Sequence, residues 1–157
     1  MFGQLLCHLW GDYILQSDWM ARGKRIAWRP AWVHASFYSF CFLPLAWHRG
    51  AALLVIFGTH LLIDRFGLAR YLVWAKNWIG VSVPWYLEPG SLLMQPRWTR
   101  KDNGIVRRSC KQPVAPWEAC SATGNQPDCP DWLAGWLTII ADNTLHLTIN
   151  YLALRFL

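Results

Sequence analysis

The chain has 157 residues and a formal net charge of +6; 54% of its residues are hydrophobic, and it contains 12 tryptophans. This composition favours a membrane protein over the alternative, a soluble helical protein with a buried core helix, and the length predicts one domain over residues 1–157. The positive charge comes without a recognised nucleic-acid motif, so we expect no nucleic-acid partner.

The first predicted helix covers about residues 2–20 and carries a polar stripe on an apolar background. The stripe consists of residues at steps of four: Gln4, His8, Asp12 and Gln16. Residues at this spacing lie on one helix face, and a polar face on a membrane helix points to protein or water rather than to lipid. The N-terminus has neither a basic region nor a small-residue cleavage site, so we expect this helix to remain in the protein.

The next two predicted helices cover about residues 31–48 and 51–76. The turn between them is short, which predicts that they are antiparallel neighbours. His34 lies in the apolar run of the second helix. In the third helix, His60 and Asp64 stand four residues apart and therefore share one face.

Prolines and glycines break any long helix between about residues 77 and 130, so this stretch is predicted to be a long polar loop. The last predicted helix covers about residues 131–155. At about 1.5 Å per residue, its apolar run 132–154 is roughly 34 Å long, which is enough to cross a bilayer. Asp142 and His146 share one face of it. The predicted fold class is therefore all-α, a polytopic membrane protein with four transmembrane helices.

The distribution of lysine and arginine predicts the orientation in the membrane. Four of them lie in the first loop and nine between residues 65 and 111, whereas two, Arg49 and Arg155, lie on the opposite side, which accounts for all 15. The positive-inside rule then places both loops in the cytoplasm and both termini outside. Basic loops attract anionic headgroups, so membrane lipids are the expected partners.

The five cysteines do not form a disulfide framework, because two lie in predicted helices and three lie in a loop assigned to a reducing compartment. The loop cysteines contain no CxxC pair and give little support to a zinc site. They are Cys110, Cys120 and Cys129, and their role is left open, as is the oligomeric state.

Three predicted helices each present a histidine and an aspartate four residues apart, and counting from the helix ends places the three pairs at overlapping depths. Imidazole nitrogen and carboxylate oxygen are ligands of Zn²⁺ and related ions. Three carboxylates in a low-dielectric interior also need a compensating charge, which a divalent cation supplies. We therefore predict a divalent metal such as zinc, held by the following ligands: His8, Asp12, His60, Asp64 and His146.

Asp142 is assigned the catalytic role of general base, with metal ligation as its alternative. A metal with an open coordination position activates water, which makes hydrolysis within the membrane chemically reasonable. Three residues toward the cytoplasmic end of the cluster are predicted to bind the substrate: His34, Lys24 and Gln16. The same polar cluster would also suit a proton or ion relay, or hydrogen bonding between helices, and these alternatives stay open.

Four blocks of the chain resemble a known family in pattern and in order. They are His8-x3-Asp12-Tyr13-x2-Gln16-x-Asp18-x-Met20-Ala21-x2-Lys24, His34-x3-Tyr38, Thr59-His60-x3-Asp64-Arg65 and Asp142-Asn143-x2-His146-Leu147. They are similar to the successive blocks of a family of bacterial and phage membrane proteins, domain of unknown function 3307 (DUF3307). The resemblance covers all four predicted helices and implies a small integral membrane protein of a bacterial inner (plasma) membrane. It also implies a host membrane protein as the other candidate partner.

A looser likeness links the chain to inner-membrane metal-dependent hydrolases, which also carry HxxxD pairs on membrane helices. Two of the three pairs fit that pattern, whereas Asp142 and His146 have the reverse order. The leading hypothesis is therefore a metal-dependent hydrolase that acts on a lipid or lipid-linked substrate. The alternative is a non-enzymatic phage or bacterial membrane protein that acts through lipid or host-protein contacts.

Overall fold

In the computed structural model, the described residues are 2–82, 97–101, 104–108, 117–125 and 129–157. The chain divides into two compact units, a first unit formed by Met1–Ala69 with Ile140–Leu157 and a second unit formed by Arg70–Ile139. The helices, in chain order, are α1 (Phe2–Leu9), α2 (Asp18–Gly23), α3 (Trp28–Cys41), α4 (Leu43–Ala46), α5 (Gly50–Phe66), α6 (Ala69–Ser82) and α7 (Asp131–Phe156).

The first predicted helix, 2–20, is interrupted in the structure. After α1 the chain continues as a π-helical segment, Trp10–Ile14. α2 then begins behind Ser17, whose side-chain oxygen accepts a hydrogen bond from the backbone N–H of Met20. A serine in this position satisfies a donor that has no partner within the helix, so it favours a new helix start. π-helical turns are rare and are frequently found at functional sites, and this one carries Asp12.

The second predicted helix, 31–48, is also divided into two helices, α3 and α4, in the structure. Pro30 lies in the first turn of α3, where its missing N–H costs no intrahelical hydrogen bond. Pro44 lies in the first turn of α4 for the same reason, and the helix is interrupted just before it, at Phe42. Proline fits the first turn of a helix but not its interior, so each of these two prolines favours the start of a new helix.

The third predicted helix, 51–76, is bent. Gly67 adopts a left-handed conformation with φ of 59° and closes α5 through backbone hydrogen bonds to the carbonyl groups of Asp64 and Ile63. Glycine is favoured at such a cap because it has no Cβ to clash. α5 and the first part of α6, Ala69–Asn77, then differ in direction by 69°.

The predicted four transmembrane helices are not supported by any single helix. Among the helices in the described ranges, none is by itself both long enough and apolar enough for a membrane span, although α5 and Ala69–Asn77 meet the criteria together as a bent pair. α1, α3 and α5 are shortened by the breaks described above. In α7, which has 26 residues, the polar side chains of Asp142, Asn143 and Asn150 lower the mean hydropathy.

The apolar core of the first unit lies between α3, α5 and α7. Its two clusters of buried side chains are Tyr38, Phe42, Ala52, Ile56 and Ala153, and Ala31, Ala35 and Leu61. The small alanine side chains allow close approach of the helices, as in membrane helix pairs. This close packing brings the polar face of each helix against its neighbours.

The second unit contains the β-structure of the described ranges, a hairpin of strands β1 (Arg97–Lys101) and β2 (Gly104–Arg108) paired antiparallel. A 3₁₀ turn, Trp117–Ala119, follows. Both lie in the predicted loop, 77–130, of which other parts, including Cys110, lie outside the described residues. Apart from this hairpin the described elements are helices, so the helical fold class is confirmed.

Candidate metal centre

Four segments of the first unit bring histidine and aspartate side chains to one buried cluster. The cluster consists of Asp12 from the π-helical segment, His34 from α3, His60 and Asp64 from α5, and Asp142 and His146 from α7. The spacing of four residues puts each pair of α5 and α7 on one helix face. The three histidines are no more than 1% exposed, so the cluster lies inside the helix bundle.

Four of these residues form what we call the compact group: Asp12, His34, His60 and Asp64. Nε2 of His34 lies 3.0 Å from Nε2 of His60. Oδ1 of Asp12 lies 3.2 Å from the first of these nitrogens and 3.4 Å from the second. Oδ2 of Asp64 lies 3.0 Å and 3.2 Å from the same two nitrogens. Four donor atoms from three segments thus converge at nearly equal spacing.

These spacings match a tetrahedral metal site. Ligand bonds of about 2.0–2.1 Å place neighbouring donor atoms about 3.3 Å apart. Hydrogen bonding explains the arrangement less well, because among the described residues neither buried carboxylate oxygen of Asp12 has a partner in hydrogen-bond geometry, although imidazole nitrogens lie 3.2 to 3.4 Å away. Two imidazole nitrogens and two carboxylate oxygens are a donor set that Zn²⁺ and related ions accept. The compact group therefore fits a divalent metal.

A second set of residues shares Asp64 with the compact group, and we call it the open group: Asp64, Asp142 and His146. Nε2 of His146 lies 3.6 Å from Oδ1 of Asp64 and 3.7 Å from Oδ2 of Asp142. The side chain of Asp142 is 29% exposed, whereas those of the other two residues are buried. The open group is therefore looser than the compact group and reaches the surface of the first unit.

Lys24 brings a positive charge to the cluster. Its Nζ donates hydrogen bonds of 2.9 Å to Oδ2 of Asp64 and 2.8 Å to Oε1 of Gln16, and it lies 3.4 Å from Nε2 of His34. With neutral histidines, the three carboxylates of the two groups and this ammonium have a summed charge of −2. A divalent cation balances that charge, which matters because uncompensated charge is costly in a protein interior.

Tyr38 holds the surroundings of His60 in place. Its ring stacks on the imidazole with the centroids 3.6 Å apart and an interplanar angle of 10°. Its hydroxyl lies 2.8 Å from Nδ1 of His8 and accepts a 2.6 Å hydrogen bond from the side-chain amide of Asn150. The same nitrogen of His8 lies 3.3 Å from Oδ2 of Asp12. These contacts orient two residues of the compact group, as outer partners do in known metal sites.

The structure brings four of the five predicted ligands together but divides them between the two groups. Asp12, His60 and Asp64 lie in the compact group, and His146 lies in the open group with the predicted base Asp142. The division arises because α3, whose histidine was not predicted to be a ligand, packs next to α5 and supplies the fourth donor atom of the compact group.

Two predicted residues occupy positions that differ from their assigned roles. His34, predicted to bind substrate, contributes Nε2 to the compact group. His8, predicted to be a ligand, falls outside both groups within the described ranges, because its ring nitrogens face the Tyr38 hydroxyl at 2.8 Å and Oδ1 of Asn143 at 3.1 Å. The predicted substrate residues Lys24 and Gln16 contact each other at the edge of the compact group.

The sequence-based assignment left Tyr38 and Asn150 without a role. Their signal is the helical spacing itself, since Tyr38 follows His34 by four residues and Asn150 follows His146 by four. Residues at this spacing share a helix face. Each therefore lies beside a cluster residue, but the spacing alone does not show that the two side chains bond to each other.

Comparison with known proteins identifies the family of the chain. A family model with the description "Protein of unknown function (DUF3307)" matches residues 1–80. The chain belongs to the DUF3307 family. The matched part of this DUF3307 protein contains the whole compact group, whereas Asp142 and His146 of the open group lie beyond it. No curated protein and no solved structure matches the chain.

Proposed function

We propose that this DUF3307 protein is a membrane-embedded, metal-dependent hydrolase that acts on a lipid or lipid-linked substrate. The observation that carries the proposal is the compact group, in which four buried donor atoms stand at the spacing of metal ligands. Buried polar atoms are costly unless they are satisfied. A divalent metal satisfies all four atoms at once and neutralises the net charge of the cluster.

When bound, a divalent cation supplies Lewis acidity, because it activates water near neutral pH and polarises an ester or phosphoryl oxygen. The four side chains of the compact group would hold it. Lys24 and Asp142, with side chains 17% and 29% exposed, are the most accessible charged residues of the cluster. We therefore propose that the substrate approaches from their side.

The two accessible residues suit different tasks. The ammonium of Lys24 attracts an anionic headgroup, and Gln16 keeps it in position by accepting a hydrogen bond from it. The carboxylate of Asp142 suits a general base that takes the proton of the attacking water, because it is both accessible and close to His146. In this assignment, the positive charge of Lys24 lies beside the anionic headgroup of the substrate, and the negative charge of Asp142 lies beside the attacking water.

The proposed membrane location is supported by the outer surface of the first unit. Large apolar side chains on the helices that carry the buried histidines are exposed, among them Phe40 at 67% and Leu54 at 73%. Helices in water place their polar face outward, and extended exposed apolar surface indicates a lipid or protein contact. We favour lipid because tryptophan, which is enriched at membrane interfaces, is exposed at five positions of this unit. They are Trp10, Trp19, Trp28, Trp32 and Trp47.

The predicted orientation remains part of the proposal. The basic loops would lie at the cytoplasmic face of a bacterial inner membrane, with both termini on the outer side. Since no single helix of the described ranges meets the criteria for a span, we propose that the bent pair of α5 and α6 enters the lipid together. The apolar faces of α1 and α3 would complete the lipid-facing surface.

The test is a hydrolysis assay on the purified full-length chain. The protein, in detergent micelles mixed with a total bacterial lipid extract, is stripped of metal with a chelator and reloaded with zinc or manganese, and mass spectrometry follows the lipids. We expect a hydrolysis product that appears only after reloading. His60→Ala should abolish it, because His60 supplies a donor atom at the centre of the compact group.

His48→Ala is the matched control, because His48 is exposed, its ring packs on Trp47, and it belongs to neither the compact group nor the open group. This variant should keep wild-type activity. A folded, metal-loaded protein that releases no product, or a product that forms equally without metal, would contradict the proposal. Either result would favour the non-enzymatic alternative, a membrane protein that acts through lipid or host-protein contacts.

A further inference from the structure

We infer that Asp64 bridges two metal positions, one in the compact group and one in the open group, and that the substrate is a phosphate ester of a lipid or lipid-linked molecule. This inference rests on the proposed metal-dependent function. It adds a second ion, held by Asp64, Asp142 and His146, so Asp142 takes its alternative role of metal ligand in place of that of general base. It also narrows the substrate from any hydrolysable lipid to a phosphorylated one.

The first observation is that the two oxygens of Asp64 face different groups. Oδ2 lies 3.0 Å from Nε2 of His34 and 3.2 Å from Nε2 of His60. Oδ1 lies 3.6 Å from Nε2 of His146. A carboxylate with one oxygen toward each of two donor sets is the arrangement that bridges a metal pair, in which the ions are about 3.5–4 Å apart.

The second observation concerns His146. Its side chain is 1% exposed, and among the described residues its buried Nε2 has no hydrogen-bond partner. This atom points to the space between Oδ1 of Asp64 and Oδ2 of Asp142, at 3.6 Å and 3.7 Å. A buried nitrogen directed between two carboxylates, too far from either for a good hydrogen bond, fits a third atom between them.

The two positions differ in the number of protein ligands. The compact group offers four donor atoms, so an ion there would take water or substrate only as a fifth ligand. The open group offers three and leaves one coordination position for a substrate or water, as catalytic sites do. The accessible side chain of Asp142 is on this group, so the position where chemistry takes place is the one that solvent and substrate reach.

The facing histidines predict that the two ions bind with different affinity. A neutral histidine that binds metal through Nε2 carries its proton on Nδ1. The Nδ1 atoms of His60 and His146 lie 3.2 Å apart. With an ion on only one of the two histidines, the protonated Nδ1 of that residue can donate a hydrogen bond to the unprotonated Nδ1 of the other. With an ion on each histidine, both Nδ1 atoms carry a proton and neither can accept. We therefore expect the second ion to bind more weakly than the first, with the two rings turned apart.

The charge of the filled site indicates the substrate. Two divalent ions change the summed charge of the three carboxylates and Lys24 from −2 to +2. A phosphate monoester carries the opposite charge and has oxygens for both ions, which stabilise the attacking and the leaving oxygen in such sites. In the reaction, the oxygen of water bonds to phosphorus, the bond from phosphorus to the leaving oxygen breaks, and one proton of the water ends on that leaving oxygen.

The experiment is a Mn²⁺ titration of the full-length chain in detergent, followed by metal analysis and electron paramagnetic resonance. We expect wild type to bind about two ions per chain, the second more weakly, with a signal of two coupled ions at saturation. Asp142→Asn should bind about one ion and lose the coupled signal, while His34→Ala should lose the tighter ion. Inorganic phosphate should tighten binding of the second ion in wild type.

The outcomes separate this inference from the proposed function. One ion in wild type, unchanged in Asp142→Asn and lost in His34→Ala, would overturn the second position and leave the compact group as a metal site. An absence of bound ions in folded wild type would overturn both. Two ions without any effect of phosphate would overturn the assigned substrate class. Because Asp142 is partly exposed, its replacement by the isosteric asparagine should leave the fold intact, which circular dichroism checks.

Discussion

The compact group and the open group share the carboxylate of Asp64 but differ in nearly every other respect. In the compact group, Nε2 of His34 and Nε2 of His60 lie 3.0 to 3.4 Å from each other and from the carboxylate oxygens. In the open group, Nε2 of His146 lies 3.6 and 3.7 Å from the carboxylate oxygens. The compact group is buried, and the open group includes a partly exposed side chain. Closely spaced and buried donor atoms, as in the compact group, are suited to holding an ion permanently. More widely spaced donor atoms near the surface, as in the open group, are suited to an ion that exchanges water and substrate.

The largest effect is expected where the two groups meet. Asp64→Asn removes the shared carboxylate charge, so metal binding should weaken in both groups by more than the roughly 10- to 100-fold that loss of an outer partner costs. Isothermal titration with Zn²⁺ measures it. Asp18→Asn is the control, because Asp18 is 95% exposed and its carboxylate lies 3.9 Å from the guanidinium of Arg22. Retained tight binding in Asp64→Asn would show that the two groups are not coupled.

The next effect distinguishes the groups. Tyr38→Phe keeps the ring on His60 but removes the hydroxyl that contacts His8 and Asn150. We expect affinity for the first ion to fall about 10-fold or more, and affinity for the second to change less, since outer partners act on the ligands they orient. The same titration reads both steps. Tyr151→Phe, at an exposed tyrosine, is the matched control, and an equal loss in that variant would disprove the assigned role of Tyr38.

A third test perturbs the packing beside the compact group. In Gly11→Ala, the new Cβ would lie 2.6 Å from Cδ2 of Tyr38 and 3.1 Å from its Cα, so the ring on His60 must shift. Overpacking of this kind costs about 1–3 kcal/mol of the free energy of unfolding. Thermal unfolding in detergent measures it. Gly58→Ala serves as control, because nothing lies within 4 Å of a Cβ at that position; similar melting of the two variants would rule out the close contact.

The smallest expected effect lies at the end of the helix that carries Asp64. Gly67→Ala places a side chain at a φ of 59°, where residues other than glycine lose about 1 kcal/mol. Thermal unfolding should show this loss with metal binding nearly unchanged. Gly67→Asn should lose less, because asparagine tolerates the left-handed conformation. Stronger destabilisation by Asn than by Ala would contradict this explanation of the cap.

Local patterns in the sequence predicted much of the cluster and of the last helix. The spacing of His60 with Asp64 and of Asp142 with His146 places each pair on one helix face whatever the tertiary fold. The last helix was predicted at about residues 131–155 and runs from Asp131 to Phe156, because its long apolar run contains no proline. These features depend only on helical periodicity and on residues that start or stop a helix.

Other features depend on which helices pack together, and local patterns do not contain that information. His34 has no acidic partner on its own helix at a spacing of four, so its place in the compact group follows only from the packing of α3 against α5. The helical pattern of the sequence continues on both sides of Ser17 and therefore does not predict a break there. The helix is interrupted because the side chain of Ser17 caps the start of α2. Hydropathy predicted four spans, but the polar positions that build the cluster are the ones that lower the apolarity of α7.

The measurement that tests the central claim most directly is X-ray absorption at the metal edge of the zinc-loaded protein, with zinc kept at or below one equivalent. We predict only nitrogen and oxygen neighbours of the zinc at about 2.0–2.2 Å, including two imidazoles, and one imidazole fewer in His34→Ala. A sulfur neighbour at about 2.3 Å, which a cysteine would supply, would contradict the account. An unchanged spectrum in His34→Ala would contradict it equally, because Nε2 of His34 is a donor atom of the compact group.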